Sequence, residues 1–404
     1  MAAQPLNVED VRQLAKRRLP RGIFEYIDRG VEDESALRRL RQDFEAVSFN
    51  PRILVDVSLR DQSVELLGRT QSLPLVIAPT AAAGLVWYEG EIALARAAAA
   101  HGIPFCIATG SITAMEHMAV QSRSQLWFQL YMWRDRALSY QLIDRAKAAG
   151  IDTLILTVDT VVSPNREYNR RNGFEVPIRA SLRGGIDMML HPAWVWNVLL
   201  RYIRYGGIPT YQHYPPEFRA KITRKAASED VELADTLDWD DFAELRRYWR
   251  GKLILKGVLR PDDAVRAAEH GADAIVVSSH GGRNLDSAAS PIDALPKIVD
   301  VVGHRLDVLA DSGVRRGSDV LKLLALGAKA VLVGRSLLFG TAWAGEAGAR
   351  HVIDLLRNEM DISLAFLGCP SVSALSRDFV NIRHEPRMRR DVLAASAPDR
   401  WTRP

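Results

Sequence analysis

His280, Gly281, Gly282 and Arg283 stand in a row inside the stretch Ser278 to Asp286, Ser-Ser-His-Gly-Gly-Arg-Asn-Leu-Asp. An imidazole can take a proton near neutral pH. A guanidinium three residues on can fork onto a carboxylate. The two glycines let the backbone turn sharply and approach a ligand closely. A base beside a carboxylate clamp suits removal of hydrogen from the carbon next to an acid group. A glycine-rich loop with one solvated His and one solvated Arg is the plainer reading of the same residues.

Such a loop needs an element to hold it. Ala274-Ile275-Val276-Val277, just ahead of it, reads as a buried parallel strand. Seven similar apolar runs occur, at Leu75–Ala78, Phe105–Ala108, Leu126–Leu130, Thr153–Thr157, Leu253–Leu255, Asp307–Ala310 and Ala330–Val333. Glu91–His101, Ala137–Ala149, Pro261–His270 and Ser318–Leu326 are helix-like and fit between parallel strands. These alternations predict the α/β class and a (β/α)8 TIM barrel, with an open doubly wound sheet as the alternative.

A barrel gathers chemistry at the carboxyl ends of its strands. Pro79, Thr80 and Ala81 follow the first run, while Gln129 and Tyr131 close the third. Thr157 and Asp159 end the fourth, and Lys256 ends the fifth. Ser278 and His280 end the sixth, Asp311 the seventh, and Gly334 with Arg335 the eighth. A lone buried Lys or Asp at a strand end is usually a structural ion pair, but seven polar strand ends on one rim point to a site. Gly313 and Arg315 after the seventh run join Gly334 and Arg335 as a candidate phosphate cradle. Basic loop tips facing water are the bland counterpart.

Composition narrows the class further. The chain of 404 residues is 48% hydrophobic and 25% charged, as in a globular enzyme, and its net charge of +4 gives no nucleic-acid footprint. Two cysteines, Cys106 and Cys369, are too few for a disulfide framework. The opening residues lack a basic flank and an apolar core, so no signal peptide is expected and an intracellular setting is the default. No metal site is expected.

The stretch around His280 resembles the Ser-Asn-His-Gly-Gly-Arg-Gln-Leu-Asp signature of the FMN-dependent 2-hydroxy acid oxidising family, with Ser279 and Asn284 as departures. Glycolate oxidases, L-lactate dehydrogenases and mandelate dehydrogenases belong to it. Within it, the frame through Ile103-Pro104-Phe105 most resembles the bacterial mandelate and membrane L-lactate dehydrogenases. The resemblance implies FMN as cofactor and an (S)-2-hydroxy acid as substrate. It implies His280 as base with Asp159 as its partner, Tyr26, Arg166 and Arg283 on the substrate carboxylate, and Tyr131 near the hydroxyl. It also implies contacts to the flavin from Pro79, Thr80, Ala81, Gln129, Thr157, Lys256 and Ser278. Asp311, Gly313, Arg315, Gly334 and Arg335 fall in its phosphate-binding elements, where Ser312 replaces a glycine. Ala108 stands where several members carry a flavin-bonding serine, so no role passes to it. Gly110 and Ser163 stand where glycolate-type enzymes carry larger side chains, which implies room for an aryl acid such as mandelate. Lactate is the alternative substrate, quinone or O2 the acceptor, and an FMN-dependent isomerase the reading from another class.

Around the barrel, residues 1–73 are expected to form helices that cap one end, beginning at Asn7 as a helix cap. The barrel is expected over 74–380, with an insertion over 177–237, and a basic tail over 381–404. Residues 191–205 are apolar, aromatic and basic, too short to span a bilayer, and read as an interfacial helix. The family resemblance implies a peripheral membrane contact there, on the inner face of the cytoplasmic membrane, and a homo-tetramer. The bland reading is a lid packed on the barrel.

Overall fold

The computed structural model describes residues 4–174, 182–219, 221–222 and 228–383. Eight parallel strands close on themselves: β1 (Leu75–Ile77), β2 (Phe105–Ala108), β3 (Leu126–Leu130), β4 (Thr153–Thr157), β5 (Lys252–Val258), β6 (Ala274–Val277), β7 (Asp307–Ala310) and β8 (Ala330–Val333). β8 pairs with β1 in the register Val331 to Leu75, so the sheet is a barrel and the open-sheet alternative falls away. β5 runs further than its apolar stretch suggests. Gly257, at φ 111°, carries it across a register shift between Lys256 and Val258, so Lys256 lies inside the strand and not at its end.

Strand alternation divides the core in two. Val76, Cys106, Trp127, Ile155, Ile254, Val276, Leu309 and Leu332 point inward and pack as one cluster. The residues between them, such as Phe128, Leu154, Leu255 and Ile275, face outward into the helices. One step of two residues beyond the inward set brings Ala78, Ala108, Gln129, Thr157, Lys256, Ser278, Asp311 and Gly334 to the carboxyl rim. The apolar interior therefore ends in a mostly polar layer. This layering is what makes the rim a site.

Three helices precede the barrel: α1 (Val8–Arg18), α2 (Arg21–Asp28) and α3 (Ser35–Ala46). Asn7 caps α1 by accepting from Asp10 N at 2.9 Å, with acids in its first turn and Lys16, Arg17 and Arg18 in its last. α1 lies against the final helix, Arg335–Leu367, which bends at Ala344 and Gly345. A short strand, Val47–Phe49, pairs antiparallel with Val380–Ile382, so the chain after the barrel is tied back to its beginning. The expected tail from 384 onward lies outside the described residues.

The insertion leaves the barrel after β4 and returns at the helix Trp239–Tyr248, which Asp238 caps through the amides of Asp240 and Asp241. Its central helical stretch, from Pro192 to Tyr205, lies on the loop after β1. Trp194 and Tyr202 make that contact: Trp194 Nε1 donates to Leu85 O at 2.7 Å, and Glu89 N donates to the Tyr202 hydroxyl at 3.3 Å, while Val198, four residues from each, is buried. Leu190, Trp196 and Ile203 are exposed, and so is Tyr205, although its ring meets that of Tyr88 in the loop, centroids 6.2 Å apart. Among the described residues no helix is long and apolar enough to cross a membrane.

Candidate active site

A cavity of about 330 Å³ opens at the carboxyl rim. Of the residues singled out from the sequence, Tyr26, Pro79, Thr80, Ala81, Gln129, Tyr131, Thr157, Arg166, Lys256, His280, Arg283, Asp311, Gly313, Arg315, Gly334 and Arg335 all line it. Asp159 and Ser278 stand one layer behind. Asp159 Oδ1 binds His280 Nδ1 at 2.8 Å, and Ser278 Oγ accepts from Lys256 Nζ at 2.8 Å and from His280 N at 3.0 Å.

His280 owes its position to backbone that most residues avoid. His280, Gly281 and Gly282 take successive positive φ of 54°, 65° and 67°. A Cβ on Gly281 would lie 2.7 Å from Arg335 Nη1, and one on Gly282 would lie 2.9 Å from the backbone of Leu37. The turn aims imidazole Nδ1 at Asp159, leaving Nε2 toward the cavity, 3.4 Å from the Tyr131 hydroxyl. Burial by itself raises the Asp159 carboxyl, but attraction to His280 and Lys256 outweighs it and holds the group below the usual range. Asp159 is thus a fixed anion behind the imidazole.

Asn284, a departure in the signature, and Ser312, a departure in the phosphate-binding element, both find partners. Asn284 Nδ2 donates to Asp159 O at 2.7 Å and to Thr160 Oγ1 at 2.6 Å, pinning the loop that carries Asp159. Ser312 keeps the left-handed backbone of a glycine, φ 81°, and its hydroxyl accepts from Gly281 N at 3.0 Å while donating to Asp311 at 2.7 Å. Lys256 Nζ meets Asp311 at 2.9 Å. Burial alone would lower this ammonium, yet Asp311 and Asp159 lift it above its usual value, so it remains a cation.

Four guanidiniums, those of Arg166, Arg283, Arg315 and Arg335, line the cavity, with no carboxylate among their hydrogen-bond partners in the described residues. Arg283 donates to the carbonyls of Tyr26 and Arg29, at 2.7 and 3.2 Å. Arg335 donates to Ile27, Gly281 and Arg29, at 3.1, 2.7 and 3.0 Å. Most of these carbonyls belong to the last turn of α2, where the helix leaves acceptors unpaired. Arg315 donates to Val314 O at 3.0 Å. Burial pushes Arg315 down to about 10 and Arg335 well below the usual guanidinium range, with like-charge neighbours adding to the fall at Arg335. Burial, and then Arg283, lowers Arg166 as well. A cavity wall that collects positive charge without compensation is suited to anions.

The opposite wall is suited to a flat polar ring. Gln129 Nε2 and Thr157 Oγ1 are buried without a hydrogen-bond partner, beside the Lys256 cation. FMN, the cofactor implied by the sequence, fits this arrangement. Its ring edge would satisfy Gln129, Thr157 and Lys256, and its phosphate would compensate Arg315 and Arg335. Ala108 lines the same wall without a side-chain hydroxyl.

One expectation needs correcting. Gly110 does not line the cavity, and a Cβ built on it would lie 3.0 Å from Ala81 Cβ and 4.0 Å from Tyr211 Cε1. The insertion folds back: Gln212 N donates to Ser111 O at 3.0 Å, and buried His213 Nδ1 meets Ala108 O at 3.0 Å. The ring of Tyr211, brought by the insertion, borders the room that the glycine leaves. Sequence reasoning also missed Thr160, which touches both His280 and Asp159, and Leu233, an insertion residue on the cavity wall. Thr160 was open to detection, being next to Asp159. Leu233 carried no local signal.

The FMN-dependent dehydrogenase family model matches residues 15–382. The chain is 40% identical to the (S)-mandelate dehydrogenase of Pseudomonas putida over 380 residues, 94% of this chain and 95% of that protein. It is also 40% identical to the L-lactate dehydrogenase of Caulobacter vibrioides over 376 residues, 92% of this chain and 96% of the relative. A solved structure of the monotopic membrane protein (S)-mandelate dehydrogenase superposes with a TM-score of 0.88 at 39% identity, over 94% of this chain and all of the other.

Proposed function

The chain belongs to the FMN-dependent dehydrogenase family, and on that premise we propose that it oxidises an (S)-2-hydroxy acid to the 2-oxo acid. The observation that carries this reading is His280. Its Nδ1 is committed to Asp159, and its Nε2 faces a cavity that also holds Tyr131, Arg166 and Arg283. Breaking the C2–H and O–H bonds releases two electrons and two protons; FMN, when bound, would accept both electrons and one of the protons, leaving the other to a protein base.

The side chains divide the remaining work. Arg283 and Arg166, with Tyr26, bind the substrate carboxylate, whose charge offsets the two facing guanidiniums. Tyr131 bonds the hydroxyl and orients C2. His280 Nε2 takes the departing proton, and Asp159 stabilises the imidazolium that results. Lys256 is a fixed cation that would stand beside the ring and offset negative charge gained on it. Arg315, Arg335 and the loop amides at Gly313 and Gly334 would hold the phosphate.

For the substrate side chain, the reading is an aryl acid such as mandelate, supported by similarity to the mandelate dehydrogenase and by the apolar wall of Ala81, Pro164 and Leu233. Lactate is the second reading, favoured by Tyr211 at Gly110 and by the equal identity to the lactate dehydrogenase. We place the protein peripherally on a membrane through exposed Leu190, Trp196, Ile203 and Tyr205, with quinone as the electron acceptor and O2 as its competitor. Anaerobic titration of the FMN-loaded protein tests the core claim. Mandelate or lactate should bleach the flavin absorbance, and a flavin that no 2-hydroxy acid bleaches removes the assignment.

A further inference from the structure

The part of the cavity left for a substrate's side chain is shaped by the insertion. Residues 230–234 run antiparallel along the segment after β3. Asp135 N donates to Asp230 O at 3.1 Å, Arg134 N to Glu232 O at 3.0 Å, and Ala234 N to Met132 O at 2.9 Å. Trp133 and Leu233 form the bridging pair within this ladder. Hydrogen bonds on both sides of Leu233 therefore fix its backbone, while its side chain reaches the cavity wall. Tyr131, two residues before Trp133 on the same strand end, lines that cavity too. The ladder thus sets an aliphatic side chain at a defined offset from a hydroxyl that faces His280.

The neighbouring groups leave this job to Leu233. His280, Tyr131, Arg166 and Arg283 are committed to the hydroxyl and carboxylate. Ala81 and Pro164 are short or rigid. Gly110, the position suggested by sequence, is walled off by Ala81 and Tyr211. Resting on the oxidation reading above, we propose that Leu233 is a specificity-determining residue. It packs against the group on C2, favouring 2-hydroxy acids with a phenyl or longer alkyl side chain over lactate. A methyl group is too short to exploit that contact, whereas a phenyl or butyl group can bury apolar surface on it.

The test compares kcat/KM of the FMN-loaded enzyme for mandelate, 2-hydroxyhexanoate and lactate, using an artificial electron acceptor, in the wild type, Leu233→Ala and Leu233→Met. Leu233→Ala should lower the mandelate-to-lactate and hydroxyhexanoate-to-lactate ratios about tenfold, as expected for lost apolar contact in a pocket. The loss should fall on KM more than on kcat, with flavin content retained. Leu233→Met, similar in volume, should restore most of both ratios. If the wild type is active but the ratios in Leu233→Ala stay within about twofold, or all three acids fall in step, the role of Leu233 is overturned alone. If no 2-hydroxy acid reduces the wild-type flavin, the oxidation reading falls and takes this inference with it.

Discussion

At the scale of single residues, the proposed base is an imidazole with Nδ1 bound to Asp159 and Nε2 turned into the cavity beside the Tyr131 hydroxyl. His280 is turned by three positive φ values in a row and held by Asp159, so its orientation does not depend on the substrate. Replacing it with alanine should leave FMN bound but slow flavin reduction by at least ~100-fold, the usual scale for a positioned base. Stopped-flow reduction of the loaded variant measures this, and a near-normal rate would take His280 out of the reaction. The arginines support a second expectation. Arg315 and Arg335 sit in the wall without a carboxylate partner, and burial depresses both. An anion there should stabilise the fold, by about 3 kcal/mol for a ligand at a hundred times its Kd. FMN should therefore raise the unfolding temperature of the apoprotein clearly more than riboflavin, which has the ring without the phosphate. Equal shifts from the two would move the binding energy to the ring.

At the scale of elements, the insertion's return leg is clipped to the end of β2 by a buried imidazole. Burial lowers His213 from 6.5 to about 4, and its Nε2 has no hydrogen-bond partner. The folded protein favours the neutral ring, so between those pH values the unfolded chain binds the extra proton. The stability that comes with neutral His213 is complete above pH 6.5 and is lost as the pH falls through that window, by at most about 3 kcal/mol. In His213→Gln this part of the acid destabilisation should vanish. Urea unfolding of both proteins between pH 7 and 4 would show it, and parallel slopes would mean that other groups govern the acid limb. Since Ala108 lines the cavity and Tyr211 stands at Gly110, loosening the clip should also disturb the substrate end of the site.

For the molecule as a whole, the insertion has one packed face and one exposed face. Trp194 and Tyr202 are fastened to the loop after β1, which carries Ala81 into the cavity wall, while Trp196 and Ile203 are 70% and 55% exposed. Aromatic and aliphatic groups beside Arg201 and Arg204 suit a lipid headgroup boundary. Trp196→Ser combined with Ile203→Ser should reduce binding to vesicles containing anionic lipid several-fold. These side chains lie outside the cavity, so flavin reduction by the substrate should persist. Sedimentation with vesicles decides it: an unchanged bound fraction would leave this face without a membrane role.

How much of this was legible beforehand follows from the range of the forces involved. Strand and helix positions come from local alternation of apolar residues, so the eight runs and the Asn7 cap could be read directly, and the polar rim followed from the residues that close or follow those runs. The chemistry around His280 was also local, because base, glycines and clamp are neighbours in the chain. Contacts between distant segments were out of reach. Nothing near Ser278 says that it supports Lys256, and nothing near Gly110 says that Tyr211, about a hundred residues later, borders its space. Leu233 reaches the cavity because backbone hydrogen bonds zip its segment onto residues 132–135, and any sequence with free amides and carbonyls could make such bonds. Residue types and their spacing along the chain therefore determined the barrel and its polar rim, while the resemblance carried by the His280 stretch implied the flavin and the base. The shape of the substrate's side-chain pocket was decided by tertiary structure alone, because it depends on where a long insertion comes to rest.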